Sequence, residues 1–316
     1  MYLVSVMDKI DEDVDAQGHL VNPTIFSCVG LLGPNMQLLT NFAKGATLLL
    51  GGIEMYSRAP SILFSPSPLP HTNETSSVHV LFPGFGGPDA NTDRIVDSLN
   101  KNAGNEVAYV YDWSAFRGNI LRAAFNGERV GKRVGRQLAY TPEVTALHCI
   151  GVSVGSFAAD ACIKEFNRLR QNRRSAPISG VTHTKAQTVL TLLCPFQQRG
   201  LLGAGYGTKH FGKYAQYAEQ YYIADDPVPG CNTPLNQAYC FDVTSAKERD
   251  AYVNLPGDSV HAFPVYYYGK AIASQSNKNI WKNDALSHLV DKPRGKIVAV
   301  NGKLASDRFE ETRNIG

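Results

Sequence analysis

Short apolar runs and longer periodic segments follow one another along this chain of 316 residues. Apolar runs predict β-strands over 78–83, 107–113, 147–150, 187–193, 221–224 and 296–300. Between them, apolar residues three and four positions apart predict long helices over 119–140 and from 154 to 169. Strands that alternate with helices are typical of the α/β class, so we expect a mostly parallel central sheet with helices on both faces.

The helix predicted over 119–140 has two different faces. Gly131 and Gly135 lie four residues apart beside its apolar stripe, and the missing side chains predict close packing on the sheet. The other face is basic and contains Arg122, Arg129, Lys132, Arg133 and Arg136. Such a face either attracts anionic lipid head groups or is simply solvated, and solvation is the commoner case.

Residues 1–75 are predicted to be an N-terminal extension, and residues 76–316 the main domain. The acidic start of the chain lacks the basic region of a signal peptide. Residues 25–55 are apolar, but polar residues such as Asn35 and Lys44 interrupt them too often for a transmembrane span. We expect one or two helices here that the domain core, a protein partner or a membrane surface covers. A proline-rich linker follows over 57–73.

Composition narrows the possible function classes. With 43% hydrophobic and 19% charged residues the chain resembles an ordinary globular protein, and a net charge of +3 is too small to indicate nucleic-acid binding. Six cysteines do not form a disulfide scaffold, although Cys231 and Cys240 flank a polar loop and would bridge in an oxidising compartment. No metal-ligand spacing occurs and no cofactor is implied, while the compartment stays open.

The segment 151–155 reads Gly-Val-Ser-Val-Gly, with an apolar strand before it and an amphipathic helix after it. This G-x-S-x-G pattern is typical of a nucleophile elbow, in which a sharp strand-to-helix turn exposes the serine hydroxyl. Small residues at Gly151 and Gly155 leave room for that turn. A surface loop that happens to contain a serine is the alternative, but the flanking strand and helix favour Ser153 as a nucleophile.

A second glycine-rich turn follows the strand predicted over 78–83 and reads Pro-Gly-Phe-Gly-Gly-Pro over 83–88. In hydrolases with a nucleophile elbow, a backbone N–H from such a loop and the N–H after the nucleophile bind the developing oxyanion. These donors correspond here to the N–H groups of Phe85 and Val154. Taken alone, the loop is equally compatible with an anion-binding turn.

The chain resembles the pancreatic-lipase-like branch of the α/β-hydrolases over roughly 78–193. The matching residues are Asp112-Trp113-Ser114, Asn119, Ala123-Ala124, Asn126, Arg129-Val130-Gly131, Leu138-Ala139 and Leu147 to Gly151. The resemblance implies a mostly parallel sheet with helices on both faces and hydrolysis of lipid esters by a Ser-Asp-His triad. Some relatives keep the fold without the activity.

The sequence departs from this family at the triad acid, because Cys194 stands where relatives carry an aspartate after the strand 187–193. One strand later, the segment 225–229 reads Asp-Asp-Pro-Val-Pro and is similar to fungal-type triacylglycerol lipases. That resemblance implies Asp226 as the acid, with Asp225 as the alternative, and His261 before a tyrosine-rich helix as the base. His288 is a second possible base.

Two histidines, His79 and His148, fall inside predicted strands and are expected to be structural. The sequence therefore predicts a serine ester hydrolase that acts on lipid carboxyl esters through Ser153, His261 and Asp226. The alternative hypothesis is an inactive hydrolase-fold protein that serves as a structural or binding subunit. The missing family acid and the apolar extension over 25–55 favour that alternative.

Overall fold

The computed structural model describes residues 34–60, 69, 75–101, 105–175, 186–253, 259–274 and 294–300. By its contacts the chain divides into two units, Met1–Ile53 and Glu54–Gly316. In the first unit, the described residues belong to one helix, α1, which begins at Pro34 and continues into the second unit as far as Arg58. Of the helices in the described ranges, none is both long and apolar enough to span a membrane.

The second unit contains the remaining elements. The other helices are α2 (Ala90–Lys101), α3 (Ser114–Arg117), α4 (Ile120–Tyr140), α5 (Ser156–Ser175), α6 (Tyr206–His210), α7 (Glu248–Val253) and α8 (Phe263–Ser274). The strands are β1 (Ser77–Phe82), β2 (Glu106–Val110), β3 (Ala146–Val152), β4 (Gln187–Leu193), β5 (Tyr217–Tyr222), β6 (Tyr239–Asp242) and β7 (Ile297–Ala299). The sequence patterns had not predicted β6 or the helices α2, α3, α6 and α7.

The seven described strands form one sheet with the order β2-β1-β3-β4-β5-β6-β7. Every neighbouring pair is parallel. The predicted α/β class with a parallel sheet is therefore confirmed. Because all strands run in the same direction, their carboxyl ends meet at one edge of the sheet, where open α/β proteins place their ligands.

Each face of the sheet supports its own apolar core. Val80 and Phe82 of β1 belong to the core under α4 and α5, whereas Leu81 belongs to the core under α2 and α8. Successive side chains of a strand point to opposite faces, so a strand that is buried on both sides is apolar throughout. This burial explains why the predicted strands appear as continuous apolar runs.

The two glycines of α4 pack against a helix and not, as predicted, against the sheet. A Cβ placed on Gly131 would lie 2.0 Å from the Ala158 carbonyl oxygen, and one on Gly135 would lie 2.3 Å from the Cys162 carbonyl oxygen. Both contacts are with the backbone of α5, and no Cβ fits at such distances. The two glycines, four residues apart, therefore let α4 pack closely against α5. This contact helps to position α5, the helix that follows Ser153.

Helix α1 differs in length from its prediction. One helix forms here, within the one or two that were predicted, and it includes Ser57 and Arg58, which had been predicted to start a linker. Proline is well tolerated at a first helical position because its missing N–H has no partner there. Phe42 and Leu48 are 76% and 78% exposed. The part of the apolar prediction over 25–33 lies outside the described residues.

Candidate active site

A sharp turn joins β3 to α5 at Ser153. Its φ is +49°, in the left-handed region that side chains other than glycine rarely adopt. A Cβ on Gly151 would lie 2.6 Å from the Ser156 Cα, and one on Gly155 would lie 2.2 Å from the Phe82 carbonyl oxygen. Both positions therefore require glycine, and the turn places the Ser153 side chain at the carboxyl edge of the sheet.

Three side chains form a hydrogen-bonded chain at this edge. The Ser153 Oγ lies 3.1 Å from His261 Nε2, and His261 Nδ1 lies 2.8 Å from Asp226 Oδ2 and 3.0 Å from Oδ1. The histidine side chain is 18% exposed, whereas the aspartate side chain is fully buried. The structure thus brings together the three residues that the sequence predicted, in the order hydroxyl, imidazole and carboxylate.

The loop after β5 separates the two candidate acids. Asp226 points inward, where its Oδ1 also accepts a hydrogen bond from the Val228 N–H at 2.8 Å. Asp225 is 59% exposed and pairs with Arg249, whose Nη2 lies 2.7 Å from Oδ2. The hydrogen bond from Arg249 lowers the pKa of Asp225. The alternative acid is therefore turned away from His261, and the alternative base, His288, lies outside the described residues.

His261 lies downstream of the next strand, β6, in the segment that leads into α8. A short 3-10 turn over Val260–Ala262 carries it into α8, and the Ala262 N–H donates to the Ser259 carbonyl oxygen at 2.9 Å. The Tyr252 hydroxyl donates to the same carbonyl group at 3.0 Å. Phe263 and the tyrosines of α8 are buried in the core, so this helix fixes the position of the turn that contains His261.

Cys194, which stands where the resemblance implied an acid, lies beside the chain of Ser153, His261 and Asp226 without joining it. Its φ is +43° and its N–H donates to the Tyr221 carbonyl oxygen at 2.8 Å. Burial raises the pKa of its thiol well above the usual range, and the neighbouring groups Cys231 and Asp226 raise it further. Because the thiol stays protonated, it cannot stabilise an imidazolium as a carboxylate does.

Possible metal ligands in the described part of the chain come together at the same place. Single ligand atoms of Asp226, Cys231 and His261 lie within 4.8 Å of one another. Burial, followed by the charge of Asp226, raises the pKa of the Cys231 thiol. A protonated thiol is a poor metal ligand, and the other two groups already bind each other. Cys231 and Cys240 are both free thiols, so the bridge that the sequence left open is not formed in this structure.

The glycine-rich loop after β1 contacts the nucleophile. A Cβ on Gly84 would lie 3.1 Å from the Ser153 Cβ, and Phe85, the next residue, is 52% exposed. Arg117 of α3 donates through Nη1 to the carbonyl oxygens of Gly84 and Phe85, at 3.1 and 2.8 Å. Val154, which supplies the second predicted N–H, directly follows Ser153 and is buried. Arg117 was not predicted from the sequence, because no local pattern indicates a contact with a residue 32 positions away.

The loop after β4 borders Ser153 from the other side. The Phe196 N–H donates to the Ser153 carbonyl oxygen at 3.1 Å. Further along, the Glu54 carboxylate accepts hydrogen bonds from the N–H groups of Leu201 at 2.8 Å and Leu202 at 3.3 Å. The Leu202 side chain remains 52% exposed. The last turn of α1 thus fixes a loop that presents an apolar side chain to solvent.

The two histidines that were expected to be structural form a second chain inside the sheet. The Nδ1 atoms of His79 and His148 are 3.1 Å apart, and His148 Nε2 lies 2.9 Å from the Thr191 Oγ1. The Thr191 hydroxyl donates to Glu219 at 2.8 Å, and His79 Nε2 lies 3.2 Å from Glu106. The chain links five neighbouring strands, β2, β1, β3, β4 and β5. Its residues are buried, apart from a half-buried Glu106 at one end.

The arrangement at the sheet edge has the parts of a serine nucleophile with a general base. A hydroxyl on a strained turn, an imidazole within hydrogen-bond reach and a buried carboxylate behind it are groups that serine-dependent acyl transfer uses. No model of a known protein family matches the chain, and no curated protein matches it either. A functional assignment therefore depends on the geometry of the site.

Proposed function

We propose that this protein is a serine ester hydrolase with an α/β-hydrolase fold. The observation that carries the proposal is the hydrogen-bonded chain from Ser153 through His261 to Asp226 at the carboxyl edge of the sheet. The order of serine, aspartate and histidine along the sequence and the glycine-flanked serine are those of α/β-hydrolases. The left-handed φ of Ser153 adds support, because strained backbone concentrates at functional sites.

In the proposed reaction, the Ser153 Oγ attacks the ester carbonyl carbon while His261 Nε2 accepts the hydroxyl proton. Asp226 keeps the Nδ1 proton facing itself and stabilises the imidazolium. The N–H groups of Phe85 and Val154 bind the oxyanion of the tetrahedral intermediate. His261 then protonates the leaving alkoxide, and water hydrolyses the acyl-enzyme by the same steps. The acid is supplied after β5, one strand later than in the pancreatic-lipase-like family.

Lipid carboxyl esters are the proposed substrate class. The two loops that contact Ser153 each present an exposed apolar side chain, Phe85 after β1 and Leu202 after β4. An exposed apolar side chain in the loop that contacts the nucleophile, here Phe85, favours an acyl chain over a charged substrate. Esters of increasing acyl length therefore test this part of the proposal, with kcat/KM rising as the acyl chain grows.

A fluorophosphonate probe tests the serine chemistry directly. We expect the folded wild-type protein to react at Ser153, and Ser153→Ala to abolish both labelling and ester hydrolysis. Ser76→Ala is the matched control, because Ser76 lies at the opposite edge of the sheet, just before β1. A wild-type protein that is folded, unlabelled and inactive on all esters would refute the hydrolase and favour the alternative, an inactive structural or binding subunit.

We further propose that α1 binds an apolar surface outside the chain, on a protein partner or a lipid membrane. Phe42, Leu48 and Leu49 are between 65% and 78% exposed, more apolar surface than one helix of a soluble monomer usually presents. Deletion of residues 1–53 keeps Glu54, which binds the loop after β4, in the chain. We expect this deletion to abolish pelleting with vesicles or partner binding while the melting temperature stays unchanged. A lower melting temperature would show that the extension stabilises the domain instead.

A further inference from the structure

Side chains from one segment, the 113–117 region, hold three successive carbonyl groups of the loop after β1. Trp113 Nε1 donates to the Pro83 oxygen at 3.0 Å, and Arg117 Nη1 donates to the Gly84 and Phe85 oxygens. The described peptide bonds include no cis form. The C=O and N–H groups of a trans peptide point in opposite directions. Fixing the Gly84 carbonyl therefore directs the Phe85 N–H away from Arg117.

The nucleophile lies against the same loop. The Cβ position of Gly84 is 3.1 Å from the Ser153 Cβ and 3.3 Å from the Val152 carbonyl oxygen. Among the described residues, no acceptor pairs with the Phe85 N–H. Phe85 as a whole is also half exposed. An unpaired N–H donor in the loop that lies against the nucleophile is what an oxyanion hole requires.

Arg117 fits this loop closely. The Gly87 N–H closes a turn onto the Gly84 carbonyl oxygen at 3.1 Å, and Gly87 has a φ of +97°. A Cβ on Gly87 would lie 2.8 Å from both Arg117 Nη1 and Nη2. The guanidinium therefore occupies space that a side chain would fill, and it donates to two neighbouring carbonyl groups at once. A lysine ammonium retains the charge but not the planar group that packs on Gly87.

We propose that Arg117 is a positioning residue that aims the Phe85 N–H at the oxyanion formed on Ser153. The inference depends on the proposed hydrolase function, and it assigns to Arg117 no contact with substrate. The Phe85 N–H must be preorganised before charge develops. Loss of the Arg117 hydrogen bonds to Gly84 and Phe85 therefore weakens binding of the transition state more than binding of the substrate.

The structural part of the proposal is tested without any activity. Crystal structures of the wild type and of Arg117→Met, which keeps the apolar stem, show the orientation of the Gly84–Phe85 peptide. We expect this peptide to rotate or to occupy two orientations in the variant. An unchanged single orientation would overturn the positioning role. This result stands whether or not the protein hydrolyses esters, so failure of the hydrolase proposal and failure of this inference are distinguishable.

The kinetic part compares substrate turnover with binding of a transition-state mimic. We expect Arg117→Met to lower kcat for a p-nitrophenyl ester by about 10²-fold with KM nearly unchanged, as when one oxyanion donor is lost. The inhibition constant of a trifluoromethyl ketone, which forms an oxyanion on the serine, should rise by the same factor as kcat/KM falls. Arg117→Lys should recover part of both losses.

Arg122→Met is the matched control, because Arg122 also donates to a main-chain carbonyl group, that of Ala59 at 2.7 Å. It lies in α4 and does not contact the loop after β1 in the described structure. We expect this control to leave kcat and the inhibition constant unchanged. Equal losses in both variants, or a raised KM with unchanged kcat in Arg117→Met, would overturn the proposal and leave Arg117 a stabilising role only.

Discussion

Two chains of hydroxyl, imidazole and carboxylate groups occur in this protein, one at the edge of the sheet and one inside it. Ser153, His261 and Asp226 form the first, with 3.1 Å between the serine oxygen and the imidazole. Thr191 and His148 meet in the second at 2.9 Å, and the threonine hydroxyl also binds a carboxylate. The side-chain chemistry is nearly the same, and the hydrogen bonds are of similar length.

The two chains differ in backbone and in access to solvent. Thr191 and His148 lie within strands β4 and β3 and are fully buried. Ser153 follows the end of β3 in a left-handed conformation, and His261 is partly exposed. A hydroxyl in a buried strand has fixed partners and no space for a substrate, whereas the strand-end serine has both access and a single base. Position in the sheet therefore distinguishes a candidate catalytic chain from a structural one.

The largest expected effect separates the two candidate acids. Asp226→Asn should lower kcat of ester hydrolysis by about 10⁴-fold, because an amide favours the wrong imidazole tautomer. Asp225→Asn is the control and should change kcat by less than about twofold, because the lost pair with Arg249 is exposed. Steady-state kinetics measures both variants. Similar losses in the two variants would mean that the loop as a whole, and not the Asp226 carboxylate, supports the reaction.

The second prediction concerns Asp160, a buried carboxyl group that, unlike Asp226, is paired with a backbone N–H and not with a histidine. Burial raises the pKa of Asp160 to about 7, and its Oδ1 accepts the Gly212 N–H. In the unfolded chain the Asp160 carboxyl group ionises at the usual aspartate pKa. At pH values between that pKa and the raised pKa of the folded state, the folded protein therefore binds more protons than the unfolded chain. The free energy of unfolding should therefore fall by roughly 3 kcal/mol as pH rises from 4 to 7.

The control for this pH dependence is Asp160→Asn, which keeps an oxygen acceptor but does not titrate. Urea unfolding at several pH values compares the two proteins. We expect the wild type to lose stability relative to the variant as pH rises from 4 to 7. A constant difference across this range would show that Asp160 titrates alike in the folded and unfolded chains.

The third prediction concerns the hydrogen-bonded side chains inside the sheet. Thr191→Val removes the hydroxyl between His148 and Glu219 and should lower the free energy of unfolding by about 2 kcal/mol, since each buried partner loses a hydrogen bond. At matched folded concentration, kcat should be unchanged. Thr145→Val is the control, because its hydroxyl makes an exposed bond at the amino edge of the sheet. A fall in kcat without loss of stability would contradict the structural assignment.

The smallest expected effect concerns strain at the nucleophile. Both Ser153→Ala and Ser153→Gly should be inactive, but the glycine variant should be more stable than the alanine variant by about 1 kcal/mol. Glycine adopts the left-handed conformation without cost. Thermal unfolding of the two inactive variants measures the difference. Equal stability would show that the turn holds Ser153 without appreciable backbone strain.

Much of the fold followed from local patterns. The strands leading to Ser153 and to Cys194 were predicted within a few residues, because strands buried on both faces are continuously apolar. The helix over Ile120–Tyr140 was also predicted from its period, and Asn119, the first residue of the predicted range, is its N-cap. Helix α2 and strand β6 were missed. Strand β6 has only four residues, of which three are apolar. Helix α2 has 12 residues, but its buried face includes Thr92 and Ser98 beside Ile95 and Leu99, so its apolar pattern is weak.

The residues of the candidate site differ in how far the sequence predicted them. Ser153 was identified from its glycines, because the turn imposes those residues locally. Asp226 and His261 were assigned by resemblance, with Asp225 and His288 left open, since nothing near them in the sequence shows which side chain turns inward. Arg117 was not found at all, because its partners lie in a loop that only the packed sheet brings to it.

The sequence by itself determined the alternating elements, the nucleophile turn and the glycines it needs, because these depend on neighbours within one helical turn or one strand. Only the tertiary structure decided that Gly131 and Gly135 join two helices, that Asp226 and not Asp225 faces His261, and that Cys231 and Cys240 stay apart. These outcomes depend on which distant segments become neighbours when the parallel strands align. That alignment is set by the summed packing of two cores, and no short stretch of the chain encodes it.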